Sequence, residues 1–115
     1  MGRKSRDKGK RGEREAAAEI AKLFGVEAAR GRQYHGRDDA PDIVTGLQGV
    51  HFEVKRTERL NLYDALEQAG SDAGDAIPVV LHRRNGKRWV AIVALDRLSE
   101  LANIIVGNKE TDKDE

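Results

Sequence analysis

Pro41-Asp42-Ile43-Val44-Thr45-Gly46-Leu47-Gln48-Gly49-Val50-His51-Phe52-Glu53-Val54-Lys55-Arg56 reads as a strand, a turn and a second strand. Asp42 opens a short apolar run, Ile43-Val44. Gly46 to Gly49 carries the turn signal, and Val50 to Lys55 alternates in polarity. Side chains on a strand change face with period two. Val50, Phe52 and Val54 therefore share one face, and His51, Glu53 and Lys55 share the other. Ten residues separate Asp42 from Glu53, so a hairpin-like unit can bring the two carboxylates together.

The elements on either side extend this unit into a domain. A helix is expected from about Gly12 to Phe24, with Ala17, Ile20, Ala21 and Phe24 on its apolar face and Gly25 as its stop. Glu13 stands four residues before Ala17 and so tilts inward, whereas Glu15, Glu19 and Lys22 fall on the solvent side. Val26 to Arg30 reads as a short strand and Gly31 to Ala40 as a polar loop. A second helix starts at Asn61, with Asp64 three residues on as its capping partner, and buries Leu62, Ala65, Leu66 and Ala69. Ile77 to Arg83 and Arg88 to Ala94 form a hairpin around Asn85-Gly86. Asp96 caps a last helix with a stripe of Leu98, Leu101, Ala102 and Ile105, stopped at Gly107. The expected fold is α/β, a five-stranded mixed sheet flanked by helices, in one domain spanning 1–115.

Composition narrows the function. The 115 residues are 36% charged with a net charge of +1. That near-neutral sum hides Arg3, Lys4, Arg6, Lys8, Lys10 and Arg11 against Asp7 alone at the start. Residues 1–10 read as a flexible basic arm and 108–115 as a frayed acidic tail. Such an arm suits a polyanionic partner, and equally a solvated leader. The absence of cysteine excludes disulfides, thiolate metal sites and cysteine nucleophiles. The start has no apolar signal region, and no run approaches the roughly 18 apolar residues of a membrane span. A cytoplasmic protein with no membrane partner is expected.

Three carboxylates and an amine carry the chemistry. Hydrolysis of a phosphodiester needs an activated water, a stabilised phosphorane and a relieved leaving oxygen, and divalent metals serve all three. Mg²⁺ takes oxygen ligands in near-octahedral geometry. Asp42 and Glu53 supply carboxylates, the Val54 carbonyl lies between Glu53 and Lys55, and Glu13 can join directly or through water. Lys55 then sits beside the water and the phosphate. Singly, Asp42 fits a Pro-Asp turn and the Glu53–Lys55 pair a solvated stripe. Jointly, with strand placement and the inward Glu13, they favour the metal site.

Pro-Asp, a gap, then Glu-Val-Lys resembles the PD-(D/E)xK nuclease superfamily and its restriction-endonuclease-like core. More narrowly, the chain resembles the archaeal-type Holliday-junction resolvases and their phage relatives. Gly12-Glu13-Arg14-Glu15 opening a helix, Ala29-Arg30 before a glycine-bearing loop, and the two strands 77–81 and 88–93 extend the likeness over residues 8–98. The resemblance implies a Mg²⁺-dependent homodimer, with Mn²⁺ as a substitute, that nicks opposed strands of a four-way DNA junction. Glu13, Asp42, Glu53 and Lys55 match its catalytic set, and Arg14 and Arg30 its DNA-holding positions. The loop 31–40 is longer than in archaeal members and lacks the serine some of them place there.

Phosphate contacts are expected from Lys4, Arg6, Lys8, Lys10 and Arg11 in the arm, and from Arg30, Arg32 and Arg37. Gln68 projects from the polar side of the second helix, where the superfamily often carries a glutamine. Tyr34 and His35 read as loop surface, His51 as a surface histidine, and His82 to Arg88 as a solvated basic turn. Nothing here reads bases, so shape and phosphate position would set recognition. The alternatives are a flap or restriction-type endonuclease of the same superfamily, or a DNA-binding module without catalysis.

Overall fold

A computed structural model of the chain describes residues 3–31 and 41–113, with side-chain surroundings for 8–31 and 41–109. Helix α1 (Arg3–Phe24) leads into β1 (Ala28–Arg30), β2 (Ile43–Thr45) and β3 (Val50–Arg56). Then come α2 (Leu62–Ala73), β4 (Ile77–Arg83), β5 (Val90–Ile92), a 3₁₀ turn (Leu95–Arg97) and α3 (Leu98–Lys113). The α/β class holds, but the expected five-stranded sheet does not. The strands form an antiparallel pair, β1–β2, and a mixed sheet ordered β3-β4-β5. β3 runs parallel to β4, with Glu53 opposite Val80, and β5 is antiparallel to β4.

The split has a local cause. β2 is only three residues long and is followed by a turn in which Thr45 Oγ1 accepts from the Leu47 N–H at 3.2 Å. That turn drives Leu47, 2% exposed, into the core. The chain therefore leaves the ladder direction, and one main-chain bond crosses to β3, from the Asp42 N–H to the Phe52 carbonyl at 3.3 Å.

β3 is covered on both faces. Phe52 joins Ala16, Ala17 and Ile20 of α1 with Ile43, Leu47, Ile77, Val79 and Leu81, and Leu101 and Ile104 of α3 pack on this cluster. Burying a side chain such as Phe52 or Ile43 stabilises by about 1.5–3 kcal/mol. On the other face, Ala65 and Ala69 of α2 close over Val80. Asn61 caps α2 as expected, its side chain accepting from the Asp64 N–H at 3.2 Å.

Other boundaries shift for stated reasons. The segment expected as a flexible arm is helical from Arg3, continuous with α1. Lys8 of this turn reaches Glu58 at 3.5 Å. The stop expected at Gly107 fails, and α3 runs through the expected tail to Lys113. Its inward stripe also turns. Ile104 sits over Gly49, whose φ of +88° leaves no room for a side chain: a Cβ there would lie 3.1 Å from Ile104 Cδ1. Leu98 is left 46% exposed, and the 3₁₀ turn takes the place of the Asp96 cap. Glu15, expected in solvent, accepts from Trp89 Nε1 at 2.8 Å and from the Arg83 guanidinium.

α1 crosses β3 at Gly12, where a Cβ would fall 2.6 Å from Arg56 Cβ. Gly9, one turn earlier, has nothing within 4 Å. Helix propensity favours alanine at both positions, so the crossing decides the sign. Gly9→Ala is expected to stabilise by about 0.5–1 kcal/mol and Gly12→Ala to destabilise by about 1–3 kcal/mol through overpacking. Urea denaturation of the two variants checks this.

Candidate metal centre

The site forms at the edge of β3 that β2 leaves open. Along a strand, the N–H and C=O of one residue face the same edge, and residues two apart repeat that direction. Phe52 and Val54 therefore look into the same gap. Asp42 closes it twice, with its own N–H on the Phe52 carbonyl and with Oδ2 accepting from the Val54 N–H at 2.7 Å. By the same strand geometry the Val54 carbonyl, expected as a ligand, opens on this edge beside the carboxylate.

Glu53 leaves β3 on the α2 side. Its Oε1 lies 2.8 Å from His51 Nε2, and the two residues are only 7% and 6% exposed. Asp72, in the last turn of α2, brings a second carboxylate beside Glu53. His51, Glu53 and Asp72 offer ligand atoms that all lie within 4.8 Å of one another, a group able to hold a metal ion. Asp42 hydrogen-bonds Glu53 from the strand edge. Glu13 approaches from α1 and is close enough for its charge to be felt by both. Arg30 Nε stands 2.7 Å from Glu13 Oε2.

The carboxylates do not titrate alike. Burial, followed by repulsion and a hydrogen bond from Glu53 and repulsion from Glu13, pushes Asp42 up to about 7 against the pull of the Val54 N–H. Burial also acts to raise Glu53, but its hydrogen bonds from His51, Asp42 and Asp72 and the His51 charge hold it below the usual range. Asp42 and Glu53 therefore titrate as a pair, burial raising Asp42 while the bonds to Glu53 lower its partner. Burial raises Glu13 despite Arg30. His51 is raised chiefly by its bond to Glu53, against the opposing effect of burial, with the Glu53 and Asp72 charges adding to the rise.

Lys55 points the same way as Glu53, and its Nζ donates to Gln68 Oε1 of α2 at 3.4 Å. The structure thus brings Glu13, Asp42, Glu53 and the Val54 backbone to one region, with Lys55 two residues along the Glu53 face of β3. It adds two residues the sequence reading did not assign. His51, read as surface, is buried because α2 covers the second face of β3. Asp72 was passed over, yet it stands four residues after Gln68, on the same helical stripe. That spacing was the available signal.

The expected phosphate contacts divide. Lys4 and Arg6 lie in α1, but their side chains are outside the described residues, as are Arg32, Arg37, Tyr34 and His35. Lys10, Arg11 and Arg14 are exposed. Lys8 pairs with Glu58 at 3.5 Å, an exposed contact of small worth. Arg30 faces Glu13, and Gln68 holds Lys55, so both serve the site from within.

These shifts fix how metal-free stability depends on pH. Asp42 keeps its proton to about pH 7 in the fold, against an ordinary value of 3.8. The native state therefore carries the extra proton between those limits, and stability falls as pH rises through that window. The stabilisation from His51, whose folded value is raised above 6.5, is lost as pH rises through that folded value. Thermal melts in chelator are expected to fall from pH 5 to pH 8, and Asp42→Asn is expected to flatten most of the decline. Glu53, held below 4.5, acts oppositely, its contribution vanishing only in stronger acid.

Among the described residues no helix is long and apolar enough to cross a membrane. Compared with protein-family models, with curated proteins and with solved structures, the chain matches none.

Proposed function

We propose that the chain is a Mg²⁺-dependent, structure-specific endodeoxyribonuclease that acts on branched DNA and resolves four-way junctions by paired nicks. The observation that carries this reading is the convergence of Glu13, Asp42 and Glu53 at the open edge of β3 with Lys55 one step along the strand. The donor set fits a hard divalent cation. Asp42 keeps a proton to about pH 7, chiefly because it is buried, with the neighbouring Glu53 and Glu13 charges adding to the rise. Asp42, Glu53, the Val54 carbonyl and Glu13 would hold Mg²⁺, or Mn²⁺ in its place. Such an ion supplies charge neutralisation at the scissile phosphate and acidifies the attacking water.

The remaining roles belong to the chain itself. Lys55, steadied by Gln68, places an ammonium where a phosphate oxygen gains charge in the transition state. His51 and Asp72 hold the Glu53 carboxylate from behind and fix its direction. Arg30 offsets part of the Glu13 charge and keeps that side chain at the site. A homodimer would set two such centres against opposed strands of a junction, as the likeness to junction resolvases implies.

The test is a synthetic four-way junction, labelled on each strand in turn and incubated with and without Mg²⁺. Symmetric nicks that require the ion are expected. Glu53→Gln and Lys55→Ala are each expected to lower cleavage by about 10²–10³-fold or more while junction binding, measured in chelator, persists. Cleavage of linear duplex at a fixed sequence would point to a restriction-type enzyme, and single-strand-flap cleavage to a flap enzyme. Unchanged turnover in Glu53→Gln would leave a binding module without metal chemistry.

A further inference from the structure

The β4–β5 turn is more than a solvated loop. Its main chain is fastened from three other parts of the fold. Both oxygens of Glu58 accept from the Asn85 N–H, at 2.9 and 3.2 Å. Arg56, at the end of β3, donates from Nη2 to Asn85 Oδ1 at 2.8 Å and from Nη1 to the Arg83 carbonyl at 3.3 Å. Arg83 turns back on the loop, its Nε donating to the Lys87 carbonyl at 2.6 Å, and reaches Glu15 of α1 with its guanidinium. Trp89 Nε1 reaches the same Glu15 oxygen. Gly86, at φ +72°, permits the tight turn.

This bracing has a consequence for charge. The two acids nearest the turn, Glu15 and Glu58, are both engaged in holding it. Arg84, Lys87 and Arg88 stand exposed on its outside. Lys8 and Arg11 of α1 line one hollow with Arg56 and Asn85, so the cationic surface continues from the turn onto the helix. A flexible turn would lose entropy on meeting a partner. Here the backbone is already ordered, so only the exposed side chains of these cations lose freedom on binding.

We propose that this ridge, made of Arg84, Lys87 and Arg88 with Arg11 of α1, binds the phosphate backbone of a nucleic-acid duplex. The inference rests on the nucleic-acid reading of the metal centre and adds a second contact region, which holds a duplex arm away from the scissile bond. Two observations favour a duplex over an anionic membrane. The ridge draws on several elements in fixed relation, as a periodic phosphate lattice requires. The hollow at the turn that Arg84, Lys87 and Arg88 line holds one apolar side chain, the half-exposed Val90, against the broad apolar face that interfacial binding inserts into a bilayer.

The experiment measures binding of a fluorescent blunt duplex of random sequence, by anisotropy in chelator over a series of salt concentrations. The wild-type chain is compared with Arg84→Ala/Lys87→Ala and with Lys22→Ala/Lys109→Ala, which removes the same charge from exposed positions on α1 and α3. Losing two phosphate contacts is expected to weaken duplex binding by about tenfold or more and to flatten the slope of log K against log salt by about 2 in the ridge variant. The control is expected to bind as wild type. Equal loss in both double variants would overturn the ridge, since net charge alone would explain it. So would unchanged binding in the ridge variant, or ridge-dependent capture by vesicles rich in anionic lipid with no binding of duplex. Because no cleavage is read, ridge-dependent binding without any Mg²⁺-dependent nicking would sink the nuclease reading and leave the ridge standing.

Discussion

The hydrogen bond from the Val54 N–H to the Asp42 carboxylate is the constraint on which the rest depends. β2 turns away before it can pair with β3, so the Val54 N–H faces a gap with no main-chain partner. An unsatisfied buried N–H costs about 1–3 kcal/mol, and a bond to a charged acceptor returns about 1.5–3. A side chain therefore does what the ladder cannot. It ties the two-stranded sheet to the three-stranded one and, in doing so, draws a carboxylate to within bonding distance of Glu53.

That arrangement creates the electrostatic problem the site must solve. Glu13, Asp42 and Asp72 each lie close to Glu53 in a half-buried space, and like charges there cannot all ionise freely. Three local answers are visible. Asp42 keeps a proton to about pH 7, His51 donates to Glu53, and Arg30 lies on Glu13. Each answer leaves the cluster acidic, and each is one that a bound dication would displace or reinforce. A purely structural cluster could be relieved by replacing a carboxylate with an apolar group. The chain instead sets acids from α1, the β2 edge and α2 around Glu53 of β3, and the His51, Glu53 and Asp72 group among them could hold a metal ion.

Much of this was legible in the sequence, and the failures share one cause. Period-two alternation placed Phe52 and Val54 against Glu53 and Lys55, and Pro41-Asp42 marked the start of a strand, though one that pairs with β1 rather than with β3. Asn61 and Asp64 announced a helix start, and Asn85-Gly86 a turn. All of these are local signals. What remained hidden depends on layers meeting. His51 looked like surface because nothing in its own strand reveals that α2 lies overhead. Asp72 carries no mark except its spacing from Gln68. The single sheet failed because a three-residue strand followed by a buried Leu47 changes direction, which alternation cannot report. Gly107 reads as a stop on propensity, but Ile104 over Gly49 and the reach of Asn108 Nδ2 to the Phe24 carbonyl at 3.5 Å carry α3 past it.

β3 shows how chemistry and scaffold are bound to one register. Its odd positions, His51, Glu53 and Lys55, face α2 and carry the titratable groups. Its even positions do the holding: Phe52 fills the core, Val54 presents its N–H to Asp42, and Arg56 packs under Gly12 and braces the β4–β5 turn. A one-residue slip would exchange the two sets, burying Lys55 among aliphatic side chains and turning Phe52 toward the carboxylates. The register is therefore held by groups of opposite character at once: an apolar ring, a carboxylate on a main-chain donor, and a guanidinium on a turn. The candidate metal centre and the brace of the β4–β5 turn are consequently not independent additions to a fold. Both draw on neighbouring residues of one strand, whose alternation assigns each its place.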